Sequence, residues 1–146
     1  MENRNDKLFE LIRELSNASV KFIVCGGVAC VLQGVERNTY DLDLSVPLED
    51  ENLRKIIDVA KKFKLIPRIS EPVENLLNKN KRKEWIENKG ALVYTFISAT
   101  GPLQLDIFLK YPKSFEELYE NADIVKIDSL EILVSSKEDS CLLNDW

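Results

Sequence analysis

Residues 22–46, FIVCGGVACVLQGVERNTYDLDLSV, decide the fold of this chain. The stretch ends in Tyr40-Asp41-Leu42-Asp43-Leu44-Ser45-Val46, which has the two-residue period of a strand. Tyr40, Leu42, Leu44 and Val46 fall on one face, and Asp41, Asp43 and Ser45 on the other; Pro47 closes the strand. Aspartate is disfavoured in strands. Two carboxylates ~5 Å apart, at an effective dielectric of ~20, repel by about 3 kcal/mol. A divalent cation removes that penalty by supplying compensating charge. A solvated sheet face accommodates the same pair without any cation, so the two aspartates acquire meaning only from their surroundings.

Two surrounding features bear on them. Val20 to Cys25 is a short, apolar, β-branched run suited to a buried strand, and it stops at Gly26-Gly27 before a short helical stretch, Val28 to Gln33, that Gly34 can end. Glycines at such a place let backbone amides approach a phosphate, although an ordinary tight turn uses them equally well. The second feature is Asp106, isolated in the apolar run Leu103 to Leu109 and on one face with Gln104 and Phe108. If that run lies beside Tyr40–Val46, three carboxylates converge.

Working outward, residues 6–17 carry Leu8, Phe9, Leu11, Ile12 and Leu15 at helical spacing. Glu49 to Phe63 reads as a helix with acidic residues first and lysines last. Leu65 to Ile69 reads as a strand that Pro67 confines to a sheet edge. Residues 72–89 read as a charged helix, and Leu92–Ala99 with Leu103–Leu109 as a hairpin around Thr100-Gly101-Pro102. Ser114 and Glu117 form a capping-box pattern for a helix to Asn121. Ile124 to Val134 reads as one strand or two short ones, and Ser136 with Asp139 opens a last helix. The mixture predicts an α+β fold with helices packed on one face of a mixed or antiparallel sheet.

Composition narrows the chemistry. The 146 residues suit one domain, 1–146, with a single core, and 45% hydrophobic with 31% charged residues is an ordinary globular balance. A net charge of -5 argues against a general nucleic-acid binder. There is no histidine, which removes Ser-His-Asp and Cys-His nucleophile schemes and every histidine-containing zinc site. Cys25, Cys30 and Cys141 are odd in number and lack Cys-x-x-Cys spacing, so buried thiols in a reducing compartment are expected. The polar start lacks a signal-peptide core and no apolar run spans a bilayer, which leads to the expectation of a cytoplasmic protein without membrane contact. Lys79 to Lys83, beside Trp85, is basic enough to meet RNA or an acidic partner, but a solvated helix face explains it as well.

The ordered parts of residues 22–46 (apolar strand, Gly-Gly-x-Ala, short helix, Arg-x-Thr, Asp-x-Asp) together with Leu103-Gln104-Leu105-Asp106-Ile107-Phe108 resemble the signature of the DNA polymerase beta-like nucleotidyltransferase superfamily, in its small bacterial and archaeal form. The resemblance covers about a quarter of the chain. It implies a palm-like fold in which Gly26 and Gly27 cradle a nucleoside triphosphate. Asp41, Asp43 and Asp106 would hold Mg2+ (or Mn2+), and Arg37 would neutralise phosphate charge or pair with a carboxylate. It implies transfer of a nucleoside monophosphate to a hydroxyl on a protein, an RNA end or a small molecule, in a setting that includes toxin–antitoxin pairs.

The chain departs from that pattern in two places. Val28 stands where many relatives carry a serine of the phosphate loop, and Ser140 to Trp146 lacks the lysine and arginine of the relatives' C-terminal helix. A competing expectation is therefore a module of the same fold that binds nucleotide or a protein partner without efficient transfer.

Overall fold

The computed structural model describes residues 6–32 and 40–139. The expected α+β architecture is present. A seven-stranded mixed sheet is built from β1 (Ile23–Cys25), β2 (Asp41–Ser45), β3 (Leu65–Pro67), β4 (Val93–Ser98), β5 (Gln104–Phe108), β6 (Asp123–Ile127) and β7 (Leu130–Val134), in the order β3-β4-β5-β2-β1-β7-β6. β2 pairs with β5 and β1 with β7 in parallel; every other pairing is antiparallel. Strand β3 is an edge, where a proline-containing strand loses least.

The helices are α1 (Asp6–Asn17), α2 (Gly26–Leu32), α3 (Asp50–Lys62), α4 (Lys79–Lys89) and α5 (Phe115–Asn121). Leu8, Leu11, Ile12 and Leu15 of α1 and Leu53, Ile56, Ile57 and Ala60 of α3 form one buried cluster with Val24, Leu42, Leu44, Leu105 and Ile107 of the sheet. These strand residues are the odd-numbered or even-numbered partners opposite the aspartates, so the main core covers the face that the carboxylates avoid. Helix α5 differs from the one-faced packing expected from sequence. Its Leu118 packs with Ile23, Cys25 and Phe108, on the aspartate side of the sheet. That side keeps an apolar patch next to its acidic one, and α5 covers it.

Asn52 fixes how the first strand enters the sheet. This buried side chain accepts from the Lys21 amide at 2.8 Å and donates to the Lys21 carbonyl at 3.0 Å and the Pro47 carbonyl at 3.3 Å. With the backbone groups of Lys21 taken by α3, strand pairing begins only at Ile23, not at Val20. The span 72–89 also differs from the single helix expected. A 3-10 turn over Val73–Leu77 precedes α4, whose start is capped by Asn78 accepting from the Lys81 amide at 3.1 Å. Among the described residues no helix is long and apolar enough to cross a membrane.

Candidate active site

Strand register lines up one row of side chains across four strands. Cys25 lies opposite Asp43, Asp43 opposite Asp106, and Asp106 opposite Thr95. Residues directly opposite each other share a sheet face, so these four point the same way. The next row places Asp41 opposite Gln104. Asp41, Asp43 and Asp106 are thus neighbours on one face of β2 and β5, the juxtaposition on which any shared cation depends.

Their environments differ. Asp41 is exposed, Asp43 half-buried and Asp106 buried. Burial, a hydrogen bond with Asp106 and the charges of Asp106 and Asp41 push the Asp43 carboxyl up to about 8. Asp41 is also raised, first by burial and then by Asp106, against a lowering by Arg68. This is the behaviour of acidic groups drawn out of water and crowded together.

Two side chains, Thr95 and Gln104, donate to Asp106. Thr95 Oγ1 donates to its Oδ1 at 2.7 Å, and Gln104 Nε2 reaches Oδ1 at 3.2 Å and Oδ2 at 3.3 Å. Arg68 donates from its guanidinium to Gln104 Oε1 at 3.1 Å, and its backbone amide is fixed on the Thr95 carbonyl at 2.9 Å. Sequence reasoning missed Thr95 and Arg68. Thr95 alternates with the core-facing Tyr94 and Phe96 on the expected strand, a polar residue on the face that the partner strand gives to Asp106; that signal was available. Arg68, just beyond the edge strand, carried none.

Gly26 sits where β1 turns directly into α2, with φ of +66°. A side chain is strained there, so glycine is required by conformation. Since Cys25 lies across from Asp43, Gly26 and Gly27 leave the sheet at the level of Leu42 and Asp41. Gly26 is buried and Gly27 half-buried. Arg37, which the resemblance sets against phosphate charge or a carboxylate, lies outside the described residues, as do Thr39 and the chain beyond Asp139.

On the far side of the row the site is walled. The Cys25 thiol is pushed up to about 12, chiefly by burial, which makes it an inert packing group. Phe108 and Tyr111 stack with ring centres 4.6 Å apart. The Tyr111 hydroxyl donates to the Asp139 carbonyl at 3.2 Å, and Lys113 Nζ meets the buried Asp139 Oδ1 at 2.6 Å. Ser136 accepts from the Asp139 amide at 3.1 Å as a helix cap, while the Asp139 carboxylate turns to Lys113.

The donor set fits magnesium or manganese in chemistry, being all hard carboxylate oxygen. No group of three His, Cys, Asp or Glu side chains is gathered into a ready-made ligand set among the described residues. What exists is a hydrogen-bonded Asp43–Asp106 pair, with Asp41 one row away.

No family model matches the chain, and no curated protein sequence does. Among solved structures it is similar to a crystal structure from Thermotoga maritima of a protein whose assignment as a nucleotidyltransferase is itself provisional. The two share 15% identity with a TM-score of 0.57, over 95% of this chain and 83% of that one. The chain therefore has a nucleotidyltransferase fold.

Proposed function

We propose that this chain is a metal-dependent nucleotidyltransferase of the polymerase beta-like superfamily. It would move a nucleoside monophosphate from a triphosphate to a hydroxyl on a protein, an RNA end or a small molecule. One observation carries the reading: Asp43 and Asp106, 63 positions apart in sequence, stand in register on adjacent parallel strands, with Asp41 on the same face and the Gly26 turn alongside. The raised Asp43 carboxyl supports it, because a cation at that point would relieve the crowding.

In this reading Asp41, Asp43 and Asp106 hold Mg2+, and Gly26 with Gly27 offers backbone amides to the triphosphate. Bound Mg2+ supplies charge stabilisation for the attacking and leaving oxygens of an in-line displacement. The acceptor oxygen forms a bond to the α-phosphorus, the bond to pyrophosphate breaks, and the acceptor proton passes to solvent. Thr95 and Gln104 keep the Asp106 carboxylate aimed while α5, Phe108 and Tyr111 wall one side. A toxin–antitoxin setting remains part of the proposal through the resemblance alone.

The test uses labelled nucleoside triphosphates, Mg2+ and cell extract, with the native chain beside an Asp41→Asn, Asp43→Asn variant. Label on an acceptor with the native chain only is the expected result. Triphosphate binding without transfer would favour the binding module, and failure of the native chain to bind any triphosphate would sink both.

A further inference from the structure

The hydrogen bonds around Asp106 form a directed chain that starts outside the row of aspartates. Arg68 has donors and no acceptor. It donates to Gln104 Oε1 at 3.1 Å, which leaves the Gln104 amide nitrogen facing Asp106 at 3.2 and 3.3 Å. Turning the amide over would set Oε1 against carboxylate oxygens and the NH2 group against the guanidinium. Both contacts would then be repulsive. Arg68 therefore selects one of the two orientations of Gln104, and Gln104 in that orientation can only donate to Asp106.

We infer that Arg68 is a positioning residue, acting through Gln104 to fix the rotation of the Asp106 carboxylate that a metal would use. The backbone supports this role: the Arg68 amide is tied to the Thr95 carbonyl at 2.9 Å, and the Thr95 hydroxyl donates to Asp106 Oδ1 at 2.7 Å. Arg68 and Thr95 thus form a clamp that reaches Asp106 by two routes, one direct and one through Gln104. With Thr95 and Gln104 both on Oδ1, the carboxylate is pinned at that oxygen.

Simple electrostatics makes the opposite prediction for metal binding. Removing a positive charge near a cation site tightens the cation, whereas removing a positioning residue loosens it, by about tenfold where outer partners of metal ligands have been lost. The metal arm of the test rests on the transferase reading; the amide arm does not.

In the amide arm, the side-chain NH2 resonances of Gln104 are recorded in the metal-free protein and assigned by their loss in Gln104→Leu. Native protein should give a well-separated pair, as expected for an NH2 held on a carboxylate. Arg68→Met should collapse the pair towards the position of solvated glutamines, and Arg68→Lys, which keeps a donor, should retain most of the separation. An unchanged pair in Arg68→Met overturns the inference. In the metal arm, Mg2+ affinity is followed by the backbone amide resonances of β2 and β5, which every variant retains. Arg68→Met should weaken it about tenfold, and the Arg68→Met, Gln104→Leu double variant should be no weaker than Gln104→Leu alone. Equal or tighter binding in Arg68→Met overturns the positioning role. Native protein that ignores Mg2+ sinks the transferase reading, and the amide arm then decides the relay by itself.

Discussion

Asp106 and Asp43 occupy the same rung of two parallel strands and share a hydrogen bond, so one carboxyl of the pair is favoured to hold a proton. The group pushed up to about 8 is Asp43, from a usual value of 3.8. Between those values the folded chain holds a proton that the unfolded chain does not. Stability from this group is therefore fully present below pH ~4 and lost as pH rises through about 8.

The metal-free Asp43→Asn variant should escape that loss. Above pH ~8 it should be more stable than the native chain by roughly 1–3 kcal/mol, and near pH ~4 the difference should vanish. Thermal melts across the pH range check this. A variant that is less stable at high pH would contradict the crowding of the carboxylates.

Thr95→Val removes the 2.7 Å donor to Asp106 with little change of shape. Equilibrium urea unfolding should show a loss of about 1.5–3 kcal/mol, the range for hydrogen bonds to charged groups. If the protein transfers nucleotide, the rate should fall in the same variant, since its metal ligand is no longer held.

Asn52→Leu leaves the Lys21 amide, the Lys21 carbonyl and the Pro47 carbonyl without their partner. Each unsatisfied buried group costs about 1–3 kcal/mol, so this variant should lose several times more stability than Thr95→Val. Amide hydrogen exchange should rise first around Lys21 and the start of β1.

Gly26→Ala forces a Cβ into a left-handed backbone with φ of +66°. Strain of roughly 1–2 kcal/mol is expected. The matching change at Gly27 should be milder in denaturation, because only Gly26 of the pair has a positive φ. Triphosphate affinity, measured in parallel, should drop in both variants if their amides face phosphate.

Local patterns carried much of the fold into the sequence. Pro67 marked an edge strand, Ser114 with Glu117 marked a helix start that forms both halves of its capping box, and the alternation from Tyr40 to Val46 separated acidic from buried faces. The candidate site was legible where it depends on alternation within a single run, in the shared face of Asp41 and Asp43 and in the lone acidic position of Asp106. It was hidden where it depends on strand order. Arg68 meets Gln104 only because β3, β4 and β5 lie side by side, and no local period shows that. The break at Asn78 had a signal, an asparagine before a charged helix, which the continuous polar character of residues 72–89 masked. Of the two readings of Ile124 to Val134, two short strands is the one that forms, and they meet at Asp128 in the left-handed region (φ 56°), where aspartate is enriched among residues with side chains.

The short outer strand containing Pro67 has a further consequence. A proline cannot donate to a ladder, and three residues give little template, so that rim resists addition of a foreign strand and the aggregation that would follow. Whatever molecule approaches the protein from the Arg68 side must be recognised through side chains, because the backbone there offers almost no foothold.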